Sequence, residues 1–377
     1  MLYLDNAATT PVRREVLEAM TPHLTRTFGN PSSHHTVGEA SAAALDDARS
    51  RVARVLGVRT NDVVFTSGGT EADNLAVKGI AIAAASTRGA RHVVTLPIEH
   101  EAILESVAYL HRVHGFDATL VPVDVHGRVD PAAIEAAIRD DTALVSIGYA
   151  NNEVGTVQDV ASIAAICRSR GVPLHVDAVQ ATGWLPLAGT GAAAIAVAGH
   201  KIGAPKGTGA LAVAGRIPLE PLMHGGGQER GRRSGTQDVA GAVGLATALE
   251  LAERERDEDV AAVAPLRDAF IGQVLDRVPR ARLTGDPVHR LPATASFTFA
   301  GTSGEAVLLE LERRGVVSSS GSACAAGADD PSHVLLAMGI DRETAQTSVR
   351  FTFPHGLRQS LDAVADAVAA SVEAVTG

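Results

Sequence analysis

Short β-branched runs alternate along this chain with longer segments of helical periodicity, and no other feature narrows its accessible folds as much. The runs cover 63–66, 92–96, 143–149, 173–176 and 194–198. Strands separated by helical stretches predict βαβ units and a mostly parallel sheet covered by helices. One unit is complete: a strand around 144–147, a helix over 159–170 closed by Gly171, and a strand ending at Asp177. On that helix Val160, Ile163, Ala164 and Cys167 recur at i, i+3, i+4, i+7, which predicts a single buried face.

After Thr236 the texture changes to long helical stretches, with strands expected near 294–299 and 348–353. A large domain is therefore expected over 13–258, and a smaller α+β domain over 1–12 and 259–377. The charged run 253–259 predicts a solvated helix surface. With 377 residues, 46% apolar residues and two cysteines, the chain has enough material for large cores and no disulfide framework. Thirty-three basic against 43 acidic side chains leave a net charge of −10, which disfavours direct nucleic-acid binding. The start Met-Leu-Tyr-Leu-Asp lacks a basic, apolar leader, and no apolar run reaches the ~18 residues of a membrane span. A cytoplasmic protein without membrane contact is expected.

Several segments bear chemistry. Ser67-Gly68-Gly69-Thr70 follows a strand and opens a helix, so its N–H groups either cradle a phosphate or simply cap a turn. Asp177 ends its strand where open α/β sheets bind ligands; there it either caps a helix or pairs with a cationic ring nitrogen. Lys201 lies between glycines after an apolar strand, a setting that lowers an amine's pKa and suits Schiff-base chemistry. The order Lys206-Gly207-Thr208 does not make a Walker A loop. His224-Gly225-Gly226-Gly227 resembles an esterase oxyanion loop, but the chain has no Gly-x-Ser-x-Gly elbow. Fourteen histidines without a zinc-site spacing point to no metal. Of the two cysteines, Cys167 reads as a core residue. Cys324 sits in a Ser/Gly/Ala-rich stretch that predicts a flexible, exposed loop, where a thiolate is either reactive or a plain loop residue.

Together the motifs resemble the NifS/IscS-like cysteine desulfurases, pyridoxal-phosphate enzymes of the class V aminotransferase family. The resemblance rests on Tyr-Leu-Asp-Asn-Ala-Ala-Thr-Thr-Pro at 3–11, Phe-Gly-Asn-Pro-Ser-Ser at 28–33, and Phe-Thr-Ser-Gly-Gly-Thr-Glu-Ala-Asp-Asn-Leu-Ala at 65–76. It continues through Glu99-His100, Asn151 to Gly155, His175-Val176-Asp177, Gly199-His200-Lys201, His224 to Thr236, Ser-Ser-Gly-Ser-Ala-Cys at 319–324 and Arg350. These span nearly the whole chain in family order. They imply an α/β fold, the PLP-dependent transferase fold type I, with a mostly parallel sheet in the large domain.

The resemblance also implies roles. Lys201 is expected to bond the cofactor's aldehyde carbon, and Asp177 to hold the pyridinium nitrogen protonated so that the ring serves as an electron sink. Gln180 is expected on the ring's phenolic oxygen, and His100 stacked on the ring as a proton shuttle. Gly69, Thr70 and His200 are expected on the phosphate, completed by Thr236 from the neighbouring subunit of a homodimer. Asn152 contacts cofactor and substrate, and Arg350 matches the α-carboxylate of L-cysteine. The Cys324 thiolate would take the substrate's sulfur as a persulfide, release alanine, and pass the sulfur to an acceptor protein docking near its loop. That acceptor could serve iron–sulfur clusters, tRNA thiolation or DNA phosphorothioation. Six residues separate Cys324 from Pro331, consistent with the long-loop branch. A selenocysteine lyase, or a sulfur-carrier or regulatory protein on the same fold, are the alternatives.

Three departures stand out. Ala198 replaces a usual serine, removing a phosphate hydrogen bond worth ~1 kcal/mol. Phe-Thr-Phe-Pro follows Arg350 where relatives carry a glycine-containing segment. The chain ends at Gly377, shorter than members whose C-terminal extension docks an iron–sulfur scaffold.

Overall fold

Neighbouring residues of the central strands enter different cores, and that alternation explains why the β-branched runs become strands. In the computed structural model, which describes residues 1–320 and 330–376, Val63, Val94, Val145 and Ile195 belong to one apolar cluster. Val64, Val93, Leu144 and Ala194 belong to another. Side chains alternate across a strand, so a sheet apolar on both faces must be covered on both.

The sheet has seven strands in the order Val63–Thr66, Gly209–Val213, Ala194–Ala198, Leu174–Asp177, Thr142–Gly148, His92–Thr95, Asp117–Leu120. Gly209–Val213 runs antiparallel to both neighbours, and the remaining pairs are parallel. On one face pack the helices Thr36–Leu56 and Val160–Ser169 with the first part of Val239–Arg277. On the other lie the helical run 69–88 and the helix Glu101–His114. The βαβ unit read from the sequence closes as expected. Asp159 accepts from the Ser162 N–H at 3.1 Å, Gly171 takes a left-handed φ of +67°, and Cys167 is buried on the inner face.

The smaller sheet sets Thr294–Phe299 between Ser348–Thr352 and Ala281–Leu283, all antiparallel. Its core gathers most of the chain's phenylalanine: Phe270 meets Phe351 and Phe353 edge-on, at centroid separations of 5.2 and 5.6 Å. Edge-to-face rings bind beyond their buried area, which suits a small core. The long helix Val239–Arg277 serves both units; Ala252 belongs to the large core and Val263 to the small one.

Two features depart from the sequence expectation. Asp259, in the charged run expected on a solvated surface, is buried because His355, the Gly356 N–H and Arg358 surround its carboxylate. The N-terminus pairs with distant chain: Leu2–Tyr3 runs parallel to Val316–Val317, and Asp5 bridges Thr352. From there the chain leaves Thr352 of the smaller sheet and reaches the large one, where the Thr10 N–H meets His200 O at 2.9 Å. Among the described residues no helix is long and apolar enough to cross a membrane.

Candidate active site

The parallel strands of the large sheet end on one side, and their C-terminal loops enclose a cleft of about 690 Å³. Such an edge is where open α/β sheets bind ligands. The cleft gathers Gly69, Thr70, His100, Asn152, Asp177, Gln180, His200, Lys201 and Arg350. Thr236 does not line it; it borders a smaller cavity of about 170 Å³ that shares Ser67 and Gly207 with the cleft. Cys324 lies outside the described residues.

One end of the cleft is shaped by backbone. A Cβ on Gly69 would sit 2.9 Å from Val179 Cγ2 and 3.3 Å from the Ala198 methyl, so only glycine lets the chain pass there. Thr70 follows in the helical run 69–88, whose first N–H groups have no helical carbonyl to meet. His200 lies 3.2 Å by Nδ1 from the Thr9 hydroxyl, and its pKa is pushed down to about 4, first by burial and then by Lys201 and Lys206. It therefore stands here as a neutral donor or acceptor. Lys201 follows the strand Ala194–Ala198, and its Nζ donates to the carbonyls of Ala7 and of Ala8, the latter at 2.9 Å. Gln180 Nε2 donates to Ala7 O at 3.1 Å.

The floor of the cleft is acidic. Asp177 keeps some surface on the cleft, but its carboxylate is enclosed deeply enough that burial raises its pKa, against the lowering pull of the Val179 N–H, His100 and Lys201. Two further carboxyls, Asp73 and Glu99, are buried beside it. Burial and the neighbouring acids push Asp73 well up; burial pushes Glu99 up to about 8. His175 and Asp177 point to the same face of their strand. His175 is fully enclosed and pushed down to about 3 by burial, its Nδ1 2.9 Å from Ser146 Oγ. Its Nε2 stands 3.6 Å from Asp73 Oδ1, and neither atom has a hydrogen-bond partner among the described residues. Acids so short of donors lean to the neutral form, and a cation set above them restores their charge.

His100 is the N-cap of the helix Glu101–His114, and its Nδ1 accepts from the Ala102 N–H at 3.0 Å. The neutral ring therefore carries its proton on Nε2. At the opposite wall Arg350 donates by Nη1 to Asn152 O at 2.8 Å and by Nη2 to Asp5 Oδ1 at 2.6 Å. Arg350 also exchanges backbone bonds with Ser319, and Ser348 Oγ donates to Ser320 O at 2.7 Å. Beyond the undescribed stretch, Ser332 Oγ donates to Glu153 Oε2 at 2.5 Å and His333 Nε2 lies 2.9 Å from Glu99 O. Both flanks of the segment that contains Cys324 are thus tied to the cleft walls.

Sequence reasoning overlooked Asp5, Asp73 and Glu99 as site residues. The available signal was their place inside the quoted motifs; an acid on a helix or terminus otherwise reads as solvated.

The Aminotransferase class-V family model matches residues 2–364. The IscS-like cysteine desulfurase of Mycobacterium tuberculosis is 46% identical over 361 residues, 94% of this chain and 92% of that protein. The cysteine desulfurase IscS of Dictyoglomus turgidum is 43% identical over 353 residues, 93% of this chain and 89% of that one. Among solved structures, a NifS-like protein superposes with a TM-score of 0.90 at 36% identity, covering 99% of this chain and 98% of its own. DndA from Streptomyces lividans superposes at 0.80 with 35% identity, covering 93% and 98%.

Proposed function

The chain belongs to the class-V aminotransferase family and is a cysteine desulfurase acting in sulfur transfer, and from that premise we propose that the cleft holds pyridoxal 5′-phosphate and L-cysteine in the roles assigned below. Enzymes of this family use that cofactor. The residues fit it: a glycine-lined turn admits the phosphate, and the orphaned Asp73 Oδ1 with the disfavoured Asp177 carboxylate favours a protonated ring nitrogen. When bound, pyridoxal phosphate supplies an electron sink conjugated to the substrate's α-carbon.

Gly69, Thr70 and His200 hold the phosphate, with the partner subunit's Thr236 completing the set in a homodimer. With the cofactor bound, Asp177 would hold the ring nitrogen's proton, Gln180 would hold the phenolic oxygen, and His100 would donate a proton from Nε2. Lys201 would hold the cofactor's aldehyde carbon, and its Nζ would move a proton at the substrate's Cα. Arg350 and Asn152 orient the substrate's carboxylate.

The Cys324 thiolate attacks the substrate's Sγ. The Cβ–Sγ bond breaks, the sulfur stays on Cys324 as a persulfide, and the carbon skeleton leaves as alanine after protonation at Cβ. A sulfur-acceptor protein docks beside the Cys324 segment in the cytoplasm. We read the large unit as 13–258 and the small one as 1–12 with 259–377.

The convergence of Lys201, Asp177, His100 and Arg350 on one cleft carries this reading. Its test is Cys324→Ala in the cofactor-loaded enzyme with cysteine and a reductant. Alanine production is expected to fall by at least about 100-fold, the scale of losing a catalytic group. Mass spectrometry of the wild type should find the persulfide on Cys324, since burial pushes the Cys167 thiol up to about 12. A persulfide on Cys167, or full turnover without Cys324, overturns the assignment.

A further inference from the structure

Arg350 is a fork with two prongs committed and one unused. Nη1 is taken by the Asn152 carbonyl and Nη2 by Asp5, while Nε is buried without a hydrogen-bond partner among the described residues. The ion pair is largely desolvated, with side chains 3% and 16% accessible for Arg350 and Asp5. Charges so placed feel each other far more than surface pairs do.

Asp5 is held in place by its neighbours rather than by the guanidinium alone. Its backbone bridges Thr352, two positions beyond Arg350; Asn6 Nδ2 donates to Thr352 O at 2.7 Å and the Ala7 N–H to Thr352 Oγ1 at 2.8 Å. Arg350 lines the cleft and Asp5 does not, so the carboxylate stands behind the guanidinium. Glu153, the other acid that feels Arg350, is pushed toward its neutral form by burial. A carboxylate behind a guanidinium fixes the plane of the fork and cancels part of its charge.

We propose that Asp5 is a positioning residue that aims the Arg350 fork at the substrate's α-carboxylate and, by offsetting the guanidinium charge, keeps α-amino acids bound loosely. The proposal rests on Arg350 as the carboxylate-binding residue. It has a chemical logic: L-cysteine and the product L-alanine carry the same carboxylate, so binding strength here holds both equally and does nothing for the sulfur step. Attenuating it lets alanine leave.

Asp5→Asn keeps an oxygen acceptor for Nη2 and removes the charge. In the cofactor-loaded enzyme, KM for L-cysteine and Kd for L-alanine, the latter read from the cofactor's absorption, should fall together by about fivefold or more, above the range of surface charge pairs because this pair is largely desolvated. L-cysteine methyl ester, which lacks the carboxylate, should keep its wild-type KM. Asp5→Ser, which removes the acceptor along with the charge, should tighten alanine binding less than Asp5→Asn because the fork loses its aim, with thermal melts showing that both variants are folded. Arg350→Ala tests the reading beneath: it should raise KM for cysteine and not for the ester. If Arg350→Ala behaves so but neither neutral variant tightens alanine binding, the role of Asp5 falls alone. If Arg350→Ala leaves cysteine's KM unchanged, the reading of Arg350 falls with it.

Discussion

Glu99 and Asp259 are equally hidden, 4% and 3% accessible, yet their carboxyls are driven in opposite directions. Burial pushes Glu99 up to about 8; the Gly148 N–H opposes the trend and the Asp177 charge adds to it. Asp259 is held below the usual carboxylate range despite its burial, because His355 at 3.1 Å, the Gly356 N–H at 2.9 Å and Arg358 at 3.2 Å all donate to it. Similar accessible surface therefore does not fix a carboxyl's state: Glu99 is the more deeply enclosed, and Asp259 has the fuller supply of donors. At the junction of the two units the fold satisfies its acid completely, and His355 is further fixed by stacking on Trp184 at 4.0 Å. In the cleft it leaves Glu99, Asp73 and Asp177 short of donors, so the floor accepts a cation from outside. An unsatisfied acid marks the site and a satisfied one marks the frame.

The contrast breaks most severely at Asp177. Asp177→Asn keeps the shape and the bond to Val179 while removing the charge that would hold the ring nitrogen's proton. Turnover of cysteine is expected to drop by about 1,000-fold, with the thermal midpoint unchanged or higher because a disfavoured carboxylate has gone. A fall in midpoint with turnover intact would make Asp177 a structural acid like Asp259. Asp259→Ala should do the reverse. It strands the buried Gly356 N–H and loosens His355, costing about 3 kcal/mol in denaturant unfolding while turnover per folded molecule is preserved. The folded pKa of Asp259 is depressed, so its contribution holds above the unfolded value of about 3.9 and is lost only as pH falls through the folded pKa. Between pH 5 and pH 8 the loss from Asp259→Ala should be flat.

The frame was far more legible in the sequence than these charges. Strands buried on both faces show as runs such as Val63 to Thr66, and Asp159 with Gly171 bounds a helix by chemistry local to the chain. Gly209–Val213 was missed because its Gly-Ala-Leu-Ala-Val carries little β-branching; its strand character comes from pairing on both sides with Val63–Thr66 and Ala194–Ala198. Leu2–Tyr3 and the Asp5–Arg350 pair depend on contacts more than 300 residues apart, which no local pattern displays. The same holds for Asp259: its donors follow it by about a hundred residues, so the run 253–259 reads as uniformly solvated. The motif residues of the cleft could be named in advance, whereas the state of Glu99 and Asp73 follows only from which acids the fold sets side by side.

Glu99 gives the finest discrimination, because it lines the cleft without a part in the proposed chemistry. Its folded pKa of about 8 lies above the unfolded value near 4.3. Between these values the unfolded chain has released a proton that the folded protein still holds, so stability falls as pH rises through that window. Glu99→Gln mimics the protonated form and removes the dependence. The unfolding free energy of the wild type relative to Glu99→Gln should decline by about 2 kcal/mol from pH 6 to pH 8, one proton over most of that interval. The Asp259→Ala difference stays level across the same range, so paired denaturant titrations at the two pH values separate the acids directly. A level Glu99 difference would mean that the cleft supplies donors enough to ionise Glu99, and that its floor is a satisfied part of the frame after all.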